Sequence, residues 1–271
     1  MDRLLVVLYR QNISESNTLQ SYFKNCASIH PFIKLVVWDN SPYPQSKEEI
    51  CSAPIEFEYI HSPENKSLAY IYNEVLRKSV IDCKYIYLFD QDSEVTLNYF
   101  EEFQSAQQKY EHIDLFVPIV RHGGNIFSPC KEKWNRSFLF EDLTPGIFSA
   151  EHLRFILSGI ALKNNVITEV QFDEQLKLYW IDNKFAYDYS KKYKELCVVD
   201  YTMQHDLSCF RYEPFRVKVK RWNSNVTGAL YTASKMSLLA YVSTIIYSCF
   251  FYVKQVLVFL FWKMNGKVYD K

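Results

Sequence analysis

Glycine is scarce. Only six occur in 271 residues, and none falls into a Walker or dinucleotide-binding pattern, so the common Gly-rich phosphate loops are excluded. The seven cysteines, at 26, 51, 83, 130, 197, 209 and 249, are odd in number and contain no C-x-x-C pair. That argues against a disulfide framework and a zinc site, and for the reduced thiols of a cytosolic protein. The N-terminal apolar run, Leu4 to Tyr9, is too short for a signal peptide. No internal repeat is visible. Acidic residues nearly vanish at the end of the chain. Residues 211–271 hold 10 Lys+Arg against 2 Asp+Glu, whereas residues 1–210 hold 21 against 29. An asymmetry of that kind suggests a basic segment that meets something anionic, or else a solvated basic face.

Aromatic residues are plentiful at 17%, and 271 residues can bury a substantial core. Leu4 to Tyr9, Phe32 to Trp38 and Tyr85 to Phe89 read as strands buried on both faces, the kind found in parallel sheets. Ile55 to Ile60 alternates as a shorter strand. Helical spacing is set by Leu19, Tyr22, Phe23 and Cys26, and again by Leu68, Ile71, Tyr72, Val75 and Leu76. Strand–helix–strand–strand–helix–strand over the first 90 residues predicts a doubly wound α/β sheet. Further on, Thr96–Tyr110 reads as a helix, Leu115–Val120 as a strand and Leu196–Val199 as a short strand, while residues 121–146 show no periodicity and read as a long functional loop.

Ligands of such sheets bind at the carboxyl ends of the strands. Asp90 and Asp92 stand there, at i, i+2, where two hard oxygen donors could hold a divalent cation shared with water and substrate phosphates. An EF-hand loop does not fit, because its sixth position would be Val95 in place of Gly. Nor does the Asp-x-Asp-x-Thr of dehalogenase-type phosphatases, since Glu94 takes the fifth place. Asp39 occupies the same strand-end position as Asp90.

Past Arg211, Arg216, Lys218, Lys220 and Arg221, the stretch Leu238–Val253 carries no charge. It falls short of the about 20 residues a spanning helix wants. A basic segment before an aromatic-rich helix fits a helix lying in a membrane interface, the alternative being one docked on the domain or on a second subunit as a homodimer.

Four elements, in order, carry a resemblance: Val36-Val37-Trp38-Asp39-Asn40-Ser41, Asn65-Lys66-Ser67-Leu68-Ala69-Tyr70-Ile71-Tyr72-Asn73, Phe89-Asp90-Gln91-Asp92-Ser93, and Trp180-Ile181-Asp182 followed by His205. The chain resembles the inverting family 2 glycosyltransferases of GT-A fold, and within them the rhamnosyltransferase-like members that build bacterial surface polysaccharide such as O-antigen or capsule. The resemblance implies a GT-A domain over 1–210, while the charge and apolar pattern make 211–271 a membrane-associating or dimerising segment. It implies that Asp39 accepts the imide N–H of uracil or thymine, and that Asn65 lies near the diphosphate or sugar. Asp90 and Asp92 would hold Mg²⁺ or Mn²⁺ on the diphosphate, with His205 reaching the metal. Asp182 would be the general base, with Asp188 and Asp173 as alternatives. The donor would be a UDP- or dTDP-sugar and the acceptor a lipid-linked or growing glycan. The enzyme would be cytoplasmic, peripheral on the inner face of the cell membrane, with no nucleic-acid partner. Ser67 stands where family members often have Gly, and Asn183-Lys184-Phe185 stand where many carry a second acidic residue. Rival readings are a sugar-1-phosphate nucleotidyltransferase, whose Gly-rich basic loop is not found in Tyr9-Arg10-Gln11-Asn12, and a non-catalytic nucleotide- or glycan-binding protein on the same fold.

Overall fold

The computed structural model describes residues 2–25, 33–79, 83–204 and 215–264. His205 and Arg211 lie outside the described residues. The chain divides into two compact units, Met1–Lys131 with Leu139–Asp206, and Glu132–Phe138 with Leu207–Lys271.

The first unit is built on the expected mixed sheet. β1 (Asp2–Leu8) is followed by α1 (Asn17–Asn25), β2 (Ile33–Asp39), a short α2 (Lys47–Cys51), β3 (Glu58–His61), α3 (Leu68–Ser79), β4 (Tyr85–Asp90) and α4 (Leu97–Lys109). Then come β5 (Leu115–His122), β6 (Asn125–Ser128), β7 (Cys130–Lys133), β8 (Arg136–Phe138), β9 (Gly146–Ser149), β10 (Leu153–Arg154) and β11 (Ile160–Lys163). α5 (Val166–Glu169), α6 (Ile181–Lys192) and β12 (Glu195–Gln204) complete it.

The main sheet runs β3-β2-β1-β4-β11-β5-β12-β9, with β6 on β5. β1, β2, β3 and β4 pair in parallel, and β11 runs antiparallel between β4 and β5. The apolar runs form central strands because both faces are covered. Leu4, Val6, Leu8, Tyr87 and Phe89 share one core with Tyr22, Tyr99, Phe100 and Phe103. Tyr99 and Phe103 lie 4.2 Å apart, centroid to centroid. Phe172 and Phe185 stack at 4.2 Å and 14°. The Asn73 side chain fastens that region to α3, accepting from Phe172 N and donating to Phe172 O, both at 2.9 Å.

Two expectations are corrected. Residues 121–146 are not a structureless loop but mostly a set of short strands, β6 to β9. Their sequences, such as Cys130-Lys131-Glu132-Lys133, carry too little apolar alternation to be seen as strands. The last strand continues past Val199 to Gln204, where Tyr201 and Met203 point inward between exposed neighbours.

The second unit holds α7 (Phe215–Met236), α8 (Leu238–Met264) and the tip of the β7–β8 hairpin. Trp134 and Asn135 make that tip in left-handed conformation, φ 53° and 63°. Asn135 is buried, and its amide donates to Ala229 O at 3.1 Å and Thr244 Oγ1 at 2.9 Å, one partner on each helix. No helix among the described residues is long and apolar enough to cross a membrane.

Candidate active site

Strand register gathers the acidic residues at one edge of the sheet. Val7 pairs with Asp90 and Leu8 with Asp39, so the two aspartates flank the carboxyl end of β1. With strands about 4.8 Å apart, their backbones stand roughly 10 Å from each other. The loops there are laced sideways. Beyond β1, Tyr9 N donates to Gln91 Oε1 at 2.7 Å and Arg10 N to Ser41 Oγ at 2.8 Å.

Asp39 is fully buried. Its Oδ1 accepts from Ser41 N at 3.0 Å, and its Oδ2 from Tyr59 Oη at 2.7 Å and Gln45 Nε2 at 3.1 Å. Burial alone would raise its pKa, but the hydrogen bonds from Ser41, Tyr59 and Gln45 outweigh it and hold the carboxyl below its ordinary value. Tyr59 responds in the opposite sense. Burial and then the Asp39 carboxylate push its phenol well up.

Asn40, to which the sequence assigned no role of its own, ties the loop after β2 to the loop after β3. Its Oδ1 accepts from Lys66 N and Ser62 Oγ, both at 2.9 Å. Its Nδ2 donates to Lys66 O at 2.8 Å and Asn65 Oδ1 at 3.0 Å. Trp38 Nε1 completes the chain by donating to Ser62 Oγ at 2.7 Å. Asn65 is exposed, in left-handed conformation at φ 50°, which Asn tolerates better than most residues.

The acidic loop is equally fastened. Ser16 Oγ donates to Gln91 O at 2.8 Å, and Asp90 N donates to Ser158 Oγ at 3.0 Å. Ser158 meets Ser93 Oγ at 2.8 Å. Gly159, at φ +82°, makes the turn that presents Ser158, and a Cβ there would lie 3.1 Å from Met203 Cε. Asp90 and Asp92 remain half-buried at the surface of this frame. Beside them, an open polar cavity of about 720 Å³ is lined by Asn17, Gln20, Lys24, Asp92, His122 and Gln204, among others.

Asp182 sits in the first turn of α6, partly buried, with Oδ1 accepting from Asn183 N at 2.8 Å. Burial raises its pKa above the ordinary carboxylate value, against the lowering effects of the Asn183 amide and the Arg154 charge. The preceding Trp180 is left-handed at φ 72°, a costly backbone for a bulky residue, and the Arg154 guanidinium lies 5.0 Å from its ring centroid. Burial holds the Tyr72 phenol well above its usual range, and both Asp90 and Asp182 add to that effect. The negative charges of two carboxylates on different elements are thus both felt at one buried phenol. The alternatives Asp173 and Asp188 are engaged elsewhere, since Lys184 pairs with Asp188 and lies 3.7 Å from Asp173.

The model of the family described as "Glycosyl transferase family 2" matches residues 6–157, more than half the chain. The chain belongs to glycosyl transferase family 2. That span takes in Asp39, Asn65, Asp90 and Asp92, while Asp182 lies beyond it. Among curated proteins, no significant match is found. Among solved structures, the chain is similar to Staphylococcus aureus TarS, at TM-score 0.57 and 12% identity, over 85% of this chain and 39% of that one. It is similar as well to TarS 1-349 in complex with UDP-GlcNAc, at TM-score 0.55 and 12% identity over 85% of this chain and 67% of that one. The same fragment in complex with UDP gives the same score and identity, with 66% of it covered. The chain thus spans about two fifths of the first of these TarS chains, and at this identity the likeness establishes the GT-A fold.

Arg154, Ser158, Thr18 and Asn40 were not expected as site residues. Ser158-Gly159 within an apolar segment was the only visible hint of a turn there.

Proposed function

We propose that the protein is an inverting glycosyltransferase that moves one sugar from a UDP- or dTDP-sugar to a lipid-linked or growing glycan. In this reading it is a rhamnosyltransferase-like enzyme of bacterial surface polysaccharide synthesis, O-antigen or capsule. It works on the cytoplasmic face of the membrane, with residues 211–271 toward the lipid. The observation that carries the proposal is the pairing of Asp39 and Asp90 with the last residues of β1, inside the segment that matches the family. TarS, on the same fold, has been seen with UDP and with UDP-GlcNAc.

Each side chain then has a task. A uracil or thymine imide N–H reaches Asp39 by displacing the Gln45 amide, the longest of its three contacts at 3.1 Å. Asn65, held from behind by Asn40, faces the diphosphate or sugar. Asp90 and Asp92 suit Mg²⁺ or Mn²⁺ as hard donors. Two carboxylates leave the remaining positions of such an ion to substrate phosphates and water. His205 is assigned as a further ligand by the family resemblance alone. When bound, such an ion neutralises charge on the departing nucleoside diphosphate. Asp182, with its proton affinity raised by burial, takes the proton from the acceptor hydroxyl as that oxygen attacks the anomeric carbon. Attack opposite the leaving group inverts the centre.

The test is calorimetric or thermal-shift titration with UDP, dTDP, GDP and CDP, each with Mn²⁺ and with EDTA. Binding of UDP or dTDP that needs Mn²⁺ and disappears in Asp90→Ala/Asp92→Ala is the expected result. Equal binding in EDTA overturns the metal–diphosphate assignment.

A further inference from the structure

The α7–α8 hairpin is packed inside out. Its buried seam is made largely of small and hydroxylated residues, Ala229, Thr232 and Ala233 on α7 and Ala240, Thr244 and Ser248 on α8, with one pair of large rings, Trp222 and Phe251, meeting edge-on at 5.4 Å. Thr244 and Ser248 satisfy their hydroxyls locally, donating to Ala240 O and Thr244 O at 2.8 Å. The large apolar side chains point away. Leu238 is 79% exposed, Ile246 64%, Phe250 67% and Val253 58%. At 100° per residue, Leu238, Val242, Ile246, Phe250, Val253 and Leu257 fall on one face of α8, opposite the 240–244–248 row. Helices that pack in water do the reverse, burying Leu, Ile and Phe. Small residues in the seam with large apolar residues outside is the arrangement of helices whose surroundings are lipid. The stripe from 238 to 257 is about 30 Å long, a patch that marks an interaction surface.

Charge selects the occupant. Residues 215–264 contain no Asp or Glu, yet they contain Arg216, Lys218, Lys220, Arg221, Lys235, Lys254 and Lys263. The same hairpin face of a second copy would bring the same uncompensated positive charge, whereas an anionic lipid surface supplies the missing sign. No described helix is apolar enough to span. We infer that α8 lies in the surface of an anionic bilayer, with the Leu238–Leu257 face among acyl chains and the cations of the hairpin among headgroup phosphates. This deepens the membrane-surface part of the function proposed above and is independent of the chemistry assigned to the sheet edge.

The experiment is co-sedimentation of the full chain with phosphatidylcholine vesicles, with and without phosphatidylglycerol, alongside light scattering of the protein alone. The variants are Ile246→Glu/Phe250→Glu on the outward face and Lys218→Glu/Lys220→Glu. UDP binding and circular dichroism check that each is folded. Partition into phosphatidylglycerol vesicles should exceed that into pure phosphatidylcholine by at least about tenfold, and either variant should lose about as much. Undiminished vesicle binding by Ile246→Glu/Phe250→Glu removes this face from the proposal while leaving a membrane-surface enzyme standing. No vesicle binding by the full chain sinks both, without touching the UDP titration. A dimer that Ile246→Glu/Phe250→Glu turns into a monomer makes the face an interface between copies instead.

Discussion

The Thr18 hydroxyl accepts from Ser93 N and reaches Ser93 O, both at 2.9 Å, across 75 positions of sequence. It also contacts the Asp90 carbonyl, and both Thr18 and Ser93 are fully buried. One hydroxyl on α1 thus sets the path of the loop that carries the two aspartates. Thr18→Val keeps the shape but leaves buried polar groups without a partner, at a cost of about 1–3 kcal/mol. Denaturation should read that loss, UDP titration with Mn²⁺ should weaken, and Thr18→Ser should restore most of both.

Asn40 supports a second prediction. Asn40→Asp keeps the acceptor for Lys66 N and Ser62 Oγ but removes both donations, to Lys66 O and Asn65 Oδ1. The loops after β2 and β3 should loosen relative to each other, costing about 1–3 kcal/mol in stability. Donor affinity, measured by calorimetry, should fall through Asn65. An affinity unchanged in a folded variant would show that Asn65 takes no part in donor binding.

What could be seen in the sequence follows from what periodicity reports. The buried parallel strands stood out because Leu4–Leu8 and Tyr85–Phe89 are apolar on both faces, and the aspartates stood out as abrupt ends to such runs. The alternation of Ile55 to Ile60 points to a strand there, whereas β3 begins at Glu58, since Ile55 and Phe57 pack on the core from outside the strand. α2, five residues long, is too short to show a period. Asn40, Thr18 and Ser158 were illegible for a different reason. Their importance lies in partners 22 to 75 positions away, which no local pattern encodes. Asn135 is the extreme case, a buried amide at a hairpin tip whose partners come from two helices about 100 residues later.

That amide yields a third prediction. Asn135 is left-handed at φ 63°, so Asn135→Gly keeps the backbone and removes only the side chain. The Ala229 carbonyl and Thr244 hydroxyl each lose a donor at a buried seam. Stability of the C-terminal hairpin, read by hydrogen exchange in α7 and α8, should drop by about 1–3 kcal/mol, with UDP binding unchanged.

Asp39 imposes a pH dependence on stability. Its folded pKa lies below the unfolded value of 3.8, so the stabilisation is complete above that value and is lost as pH falls through the lower folded value. Asp39→Asn should therefore be less stable than the parent at neutral pH, with the gap closing below about pH 4. Urea denaturation between pH 3 and 7 reads this directly. A gap that stays constant with pH would mean the side chain acts by shape and not by charge.

Asp182 is expected to behave in the opposite sense and to do so in turnover. Burial raises its pKa, so the carboxylate form needed by a base is populated only at a pH higher than an ordinary aspartate requires. Sugar transfer should fall on the acid side with a midpoint above 3.8, set by that proton. Asp182→Asn should cost roughly 10²–10⁴-fold in turnover, abolish the acid limb of the residual activity and leave UDP affinity unchanged. Asp173→Asn and Asp188→Asn serve as controls, because each removes one partner of the buried Lys184 and should lower stability more than turnover. If Asp188→Asn eliminated turnover while Asp182→Asn retained it, the base would be Asp188. The strained Trp180 and its Arg154 neighbour would then be scaffolding for α6 rather than for a catalytic carboxylate.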